Sequence, residues 1–337
     1  MNFVVRMAQP KDVQALYELA RQFTLLNLPA DKKALIRKVE LSGESFRGKR
    51  EKRDAEYIFV VEDLESGFIA ASAQVLAKNG IPKSPNYSFE VLKKERFSQE
   101  LGIGFIHQIL RLRINEDGAT ELGGLVVDRG YRRRPEKVGK IASLTRFAYI
   151  ALNRDRFEED LHAEMAPPLT DEGRSEFWES LGRRFTGMPY KEADILSQQN
   201  NSFIRSLFPE EDIYLCLLDS KARLVLGRVG EETQAALHML EGLGFKYKNE
   251  VDPFDGGPHL GVRTDEVATI KNGAVFVAAK QEGAPFDKLG VLGSGKDQRF
   301  RGGVSPYGVE GEKVFLPEQA WQALKVKEGS EIFVSPL

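Results

Sequence analysis

The chain has 337 residues, a length that suits two domains, or two with a small appendage, better than one compact unit. Hydrophobic residues make up 42% and charged residues 29%, enough apolar content for a sizeable core, which excludes disordered, collagen-like and mucin-like classes. With 48 Lys and Arg against 50 Asp and Glu the net charge is −2, so no global electrostatic case exists for nucleic acid or an anionic membrane surface.

The lone Cys216 cannot form an intramolecular disulfide, and the four histidines show no metal-ligand spacing along the chain, so no metal site is expected. Arg6, Lys11 and Asp12 interrupt the N-terminal segment, which lacks the apolar stretch of a signal peptide. No apolar run approaches the roughly 18 residues of a membrane span. A cytoplasmic protein without membrane contact is the expectation.

Residues 2–6 (NFVVR) read as a strand. Asp12 then opens a helix whose apolar face is Val13, Leu16, Tyr17, Ala20 and Phe23. After a charged stretch from Arg47 to Glu56, YIFVVEDLESGFIAASAQV predicts two antiparallel strands joined at Ser66-Gly67. A further strand, Glu121 to Asp128, leads through YRRRPEKVGK into a long helical pattern, IASLTRFAYIALNRDRF. The strand DLHAEM (Asp160 to Met165) and the amphipathic helix SEFWESLGRRF follow. The order to this point, β-α-α-β-β-β-α-β-α, is a mixed α/β layer arrangement of the α+β class.

From Met188 to Leu260 the pattern predicts strands in IYLCLLD and RLVLGRV, a helix from Glu232 to Gly244, and a strand in FKYKNEVD. Leu181-Gly182 and Leu243-Gly244 end two helices in the same way, a faint echo consistent either with duplication or with ordinary helix C-caps. Beyond residue 262 glycine recurs at 283, 290, 293, 295, 302, 303, 308 and 311. These glycines read as turns between short strands, since no phosphate-loop spacing is present. The end reads as a strand, a helix over Gln319 to Leu324, a turn at Glu328-Gly329 and a closing strand. The expected domains are thus 1–187, 188–262 and a small β-rich subdomain over 263–337.

The stretch from Leu125 to Arg146 carries the chemistry. An apolar strand passes into a turn bearing Arg132, Arg133, Arg134, Lys137 and Lys140, just before a helix. A helix N-terminus offers unpaired N–H groups and a positive dipole end, so this basic turn suits a pyrophosphate; a solvated basic loop is the alternative.

The pattern Arg134-x-x-Lys137-x-Gly139 resembles the R/Q-x-x-G-x-G/A signature of the GNAT acyltransferases, with Lys137 at the first glycine position. Phe177-Trp178-x-x-Leu181-Gly182 resembles the F-Y/W-x-x-L-G element of the same superfamily. The resemblance narrows to the arginine N-succinyltransferases from residue 2 to about 260. It is carried by NLPAD (27–31), YIFVVED (57–63), TELGGLVVD (120–128), AEM (163–165), FWESLGRRF (177–185), KEAD (191–194), LEGLGF (240–245) and VDPFDGGP (251–258).

That resemblance implies two GNAT-like units in tandem with a β-rich C-terminal part. It also implies a CoA-dependent N-acyltransferase of arginine catabolism, with succinyl-CoA as donor substrate, no permanently bound cofactor, and the α-amine of arginine as acceptor. Backbone groups of Leu125, Val126 and Val127 would pair with the pantetheine, while Arg134, Lys137, Gly139 and Lys140 hold the pyrophosphate. A homo- or hetero-oligomer with a paralogous subunit is the expected assembly.

Several polar positions depart from the family pattern. Gly230 stands where G-x-V-H-x-x-T places a catalytic histidine, Ala166 stands for an arginine, Ser206 for a glutamate, and Leu26 and Asn27 for Thr and Ser. A non-catalytic partner of an active paralogue, or an acyltransferase for another amine, is therefore the alternative. Loss of a general acid or base costs on the order of 10²–10⁴ in rate. Glu231 and Glu232 are possible substitutes, or simply first-turn acids. The remaining catalytic candidates are three. Glu121 starts the strand before the basic turn, or is a surface acid there. Glu164 and His162 alternate on one face of the next strand, although the family is apolar at 162. His107, His238 and His259 have no evident partner. Asp252, Asp255, Gly256 and Gly257 suggest a structured turn, or a substrate contact.

Overall fold

The computed structural model describes residues 1–22, 28–197, 200–281, 283 and 285–337; Phe23, Leu26 and Asn27 lie outside them. The chain opens with β1 (Phe3–Met7), α1 (Val13–Ala20) and α2 (Lys32–Phe46), then β2 (Glu56–Asp63) and β3 (Ile69–Leu76). Two 13-residue strands follow, β4 (Asn86–Ser98) and β5 (Ile103–Asn115). Next come β6 (Thr120–Val127), α3 (Val138–Leu152), β7 (Asp160–Glu164), α4 (Glu176–Ser180), α5 (Gly182–Thr186), α6 (Tyr190–Ser197) and α7 (Ser202–Leu207). The sequence continues through β8 (Ile213–Tyr214), α8 (Ser220–Val225), α9 (Gln234–Gly242), β9 (Lys246–Val251), β10 (Pro258–Arg263) and α10 (Ala268–Lys271). It ends with β11 (Ala274–Ala278), β12 (Lys288–Ser294), β13 (Arg301–Glu310), β14 (Lys313–Phe315), α11 (Glu318–Leu324) and β15 (Glu331–Pro336). The expected α+β class holds.

Two compact units form, neither continuous in sequence. The first comprises 1–78, 120–161 and 263–337, and the second 79–119 and 162–262. The second unit ends at 262, where a boundary is expected, but neither unit ends at 187. In the first unit α3 is buried on almost every side, from Val138 to Leu152, as a helix enclosed by structure all round must be. β2, β3 and β6 cover it, and so do β12, β13 and β15 from the C-terminal segment. β13 also pairs antiparallel with β1, matching Val5 to Gly302. The tail is therefore part of the first core and not an appendage. Its glycines at 290, 293, 302, 303 and 308 lie inside β12 and β13. A Cβ on Gly302 would meet Thr145 at 2.5 Å and one on Gly293 would meet Ala148 at 2.9 Å, so the bare backbone at these two positions lets the strands approach α3.

The second unit has the strand order β7-β10-β9-β4-β5-β8. β4 and β5 form a hairpin in register from Asn86↔Asn115 to Ser98↔Ile103. Its core gathers Phe89, Phe177, Trp178, Phe208 and Phe254, with Trp178 stacked on Phe254 at 5.2 Å. The segment RLVLGRV, expected as a strand, instead contributes to α8. Ala222, Val225 and Leu226 pack on the core at helical spacing, and tertiary packing overrides the β-branched and apolar run. IYLCLLD keeps only two strand residues before a 3₁₀ turn at Leu215–Leu217. The expected single helix SEFWESLGRRF breaks at Leu181, whose φ and ψ of −124° and −72° are not helical.

The two Leu-Gly endings serve different purposes. Gly244 adopts φ +103°, a left-handed conformation that side chains disfavour. Gly182 is needed for space, because a Cβ there would lie 2.2 Å from the Trp178 ring. Gly182→Ala is expected to destabilise the protein by about 1–3 kcal/mol. Gly242→Ala, with nothing within 4 Å of the added carbon, is expected to be neutral or slightly stabilising in the same urea-unfolding measurement.

Candidate functional site

In the first unit, β3 and β6 pair from Leu76↔Glu121 to Gln74↔Gly123, then resume at Ser72↔Val126 and Ala71↔Val127. Gly124 and Leu125 stand opposite the single residue Ala73, a bulge that opens the sheet. Gly124 is required there, at φ +56° and with the Gln74 side chain 2.7 Å from where a Cβ would sit. The bulge diverts backbone carbonyls from their ladder, and buried side chains satisfy them. Ser72 Oγ donates to the Gly124 carbonyl at 3.1 Å. Arg146 Nη1 donates to the Gln74 and Gly123 carbonyls, each at 3.2 Å, and its Nη2 to Ser143 Oγ at 2.9 Å. Burial lowers the Arg146 pKa to about 10, still well above neutrality.

β6 then runs into the basic turn. Asp128 Oδ1 accepts from the Gly130 N–H at 2.8 Å, and Tyr131 donates its hydroxyl to Asp63 at 2.7 Å while stacking on Phe68. The Arg134 guanidinium lies 4.0 Å from the Tyr131 ring centroid, and its Nε donates to the Gly130 carbonyl. Lys137, at φ +53°, turns the chain into α3. A Cβ on Gly139 would touch Val127 at 3.2 Å, so the helix start sits against the end of β6. The Lys140 N–H already donates to the Lys137 carbonyl at 2.7 Å, which leaves Val138 and Gly139 as the first-turn N–H groups flanked by exposed Arg134, Lys137 and Lys140. All seven residues expected to contact the cofactor are collected in this cradle. The Val126 side chain belongs to the core beside Leu16 and Ile58, which leaves only its backbone for the expected contact.

The second unit gathers a different constellation. His162 Nε2 lies 3.2 Å from Glu164 Oε1, and His259 Nε2 lies 3.8 Å from the same oxygen. The two imidazoles meet edge to face at 4.7 Å. On the far side of His259, Nδ1 lies 3.8 Å from Glu250 Oε2, which accepts from Ser88 Oγ and Lys248 Nζ at 3.2 Å each. Asn86 Nδ2 donates to Glu164 Oε1 at 3.2 Å. Burial by itself pushes the Glu164 carboxyl up, but His162, His259 and Asn86 outweigh it and hold the pKa at about 2. Glu250 is likewise held at about 2, burial being outweighed by His259 and Lys248.

Three family-like stretches distant in sequence meet electrostatically here. Burial raises Asp255 of VDPFDGGP to about 7, opposed by the Gly257 N–H and reinforced by Glu164 of AEM and Asp194 of KEAD. Asp252 is pushed well up by burial, Asp255 and Glu164. The turn itself is built by Asp252 Oδ1 accepting from the Phe254 and Asp255 N–H groups and Asp255 Oδ1 accepting from Gly257. Buried carboxylates crowded in this way favour a cationic guest.

The sequence-derived candidates therefore divide. His162 and Glu164 are brought together in the second unit, as the strand alternation implied. Glu121 belongs to the first, where it is buried at 7% exposure, so the surface-acid alternative fails. His259, without an evident partner in the sequence, is a member of the cluster. Strand pairing of β7 with β10 brings it there across 95 residues. The same pairing overturns the expectation that no histidine cluster has ligand geometry, since ligand atoms of His162, Glu164 and His259 lie within 4.8 Å of one another.

Two departures from the family pattern prove to be neighbours. The Gly230 N–H donates to the Ala166 carbonyl at 2.9 Å, and Thr233 Oγ1 donates to the same oxygen. A Cβ on Gly230 would lie 2.9 Å from the Pro167 carbonyl oxygen. Reinstating one side chain thus requires the facing backbone to move.

Asp194, 7% exposed and with Oδ1 unpartnered, is raised by burial to about 6. A carboxyl whose folded pKa exceeds its unfolded value of 3.8 favours the fold at low pH and loses that contribution as pH rises through about 6. Asp194→Asn is expected to stabilise the protein at pH 7 by on the order of 2–3 kcal/mol and to be neutral near pH 3.5. Urea unfolding at the two pH values checks this.

Comparison with known proteins gives the family. Residues 3–269 match the family model described as arginine N-succinyltransferase beta subunit. The arginine N-succinyltransferase of Citrobacter koseri is 32% identical over 98% of this chain and 96% of its own. The arginine N-succinyltransferase subunit beta of Pseudomonas aeruginosa is 38% identical over 84% of this chain and 83% of its own. The solved structure of arginine/ornithine succinyltransferase subunit AI from Pseudomonas aeruginosa superposes with a TM-score of 0.87 at 28% identity, covering 99% of this chain and 98% of that one. The chain belongs to the arginine N-succinyltransferase family.

Proposed function

We propose that the protein is a CoA-dependent N-acyltransferase that transfers a succinyl group from succinyl-CoA to the α-amine of arginine, in arginine catabolism in the cytoplasm. The observation that carries this reading is the cradle of the first unit. A bulged strand ends against a helix N-terminus edged with cations, the arrangement a pyrophosphate needs. In the reaction the amine nitrogen attacks the thioester carbonyl, the C–S bond breaks, CoA leaves as thiolate, and the amine surrenders a proton.

Glu121, His162 and Glu164 remain the groups assigned to that proton and to the acceptor. Glu164, held near 2, is a poor proton acceptor at neutral pH and a good anchor for a cation. The carboxylates of the second unit match the two positive charges of arginine.

One observation favours a second reading, a non-catalytic subunit working with an active paralogue. Gly230 and Ala166 replace side chains of the family pattern at adjoining positions, and the space at 230 is closed by the Pro167 carbonyl. Thiol release from succinyl-CoA in the presence of arginine separates the two. Turnover at about 1–10³ per second supports the enzyme. CoA binding without turnover on any amine supports the subunit, and absence of both overturns the donor assignment. Replacing Arg134 and Lys137 together by alanine is expected to weaken CoA binding about tenfold or more in calorimetry; unchanged affinity would refute the placement of the pyrophosphate.

A further inference from the structure

We propose that His162, Glu164 and His259 form a binding site for one divalent metal ion of the zinc class. The starting point is an unmet requirement. His259 is fully buried, and among the described residues neither of its ring nitrogens has a hydrogen-bond partner. A buried imidazole normally hydrogen-bonds through at least one nitrogen, and an orphaned one calls for a water or an ion.

The geometry selects the ion. Tetrahedral bonds of about 2.0–2.2 Å place ligand atoms about 3.3 Å apart. The separations from Glu164 Oε1 to the two Nε2 atoms, 3.2 and 3.8 Å, bracket that value. Two imidazoles and one carboxylate are the three-ligand set that zinc and its neighbours favour, leaving a fourth position open. Calcium and magnesium prefer all-oxygen shells.

The outer contacts agree. Metal-bound histidine usually presents its other nitrogen to a carboxylate, and His259 Nδ1 faces Glu250 Oε2. Asn86 orients Glu164 by donating to it. Glu164, at 28% side-chain exposure, leaves an entry route. β7 carries two ligands and β10 the third, so an ion here clamps two neighbouring strands. Metal binding and proton acceptance exclude each other at His162 Nε2.

The test uses the full chain stripped with a chelator, then titrated with Zn²⁺ against a chromophoric competitor, with Co²⁺ as spectroscopic probe. One equivalent bound with a Kd in the micromolar range or tighter is expected, together with visible Co²⁺ absorption of four- or five-coordinate intensity. His162→Ala with His259→Ala should weaken binding at least 100-fold. A variant lacking His107, His238 and Cys216 should bind as the parent does. If the double variant does not fold by circular dichroism, His162→Gln alone is read for the same loss. Absence of stoichiometric binding, or binding that survives loss of the cluster histidines, overturns the site. None of these readouts depends on acyl transfer.

Discussion

The first unit depends on how one buried cation is accommodated. Arg146 has no carboxylate among its hydrogen-bond partners; it is held by carbonyl and hydroxyl oxygens. Those carbonyls are available only because the β3–β6 ladder breaks at the bulge, and the bulge persists only because a cation answers them. An unsatisfied buried carbonyl costs about 1–3 kcal/mol, and an uncompensated buried charge costs more. Neither half is stable without the other. Together they fix the opening of β6 and the position of α3, and hence the cradle between them.

The second unit relies on a different economy. Its aromatic core holds loops in place so that AEM, KEAD and VDPFDGGP present their acids to a common region. Carboxylates raised by burial and mutual repulsion store unfavourable electrostatic energy, which a bound cation relieves. Preorganisation of this kind weakens the empty protein and strengthens the complex.

Much of the first unit was legible because its signals are local. The hairpin turn at Ser66-Gly67, the basic turn before α3 and the strand-to-helix order follow from periodicity and turn chemistry, and the structure retains them. What escaped was set by long-range pairing. In its outer half β4 carries charged residues on both faces, Lys93 to Arg96, and β5 exposes apolar Ile103, Phe105 and Ile106 there, so no alternation marks them. Strand glycines passed for turns because close approach to α3 cannot be seen from composition. His259 had no partner within reach along the chain, and Glu250, beside it in space, offers no motif. RLVLGRV reads as a strand until packing against the second core decides otherwise.

The interleaving of the two units has a consequence for how the chain is made. The second unit is bounded by residue 262, whereas the first lacks β11 to β15 until synthesis is almost complete. Emerging from the ribosome, the segment that begins first is finished last, and α3 waits with one side uncovered while about 180 further residues are added, at roughly 5–20 per second. The apolar surface of that helix is therefore exposed for tens of seconds or less in every molecule. Truncation near the C-terminus removes a wall of the first core.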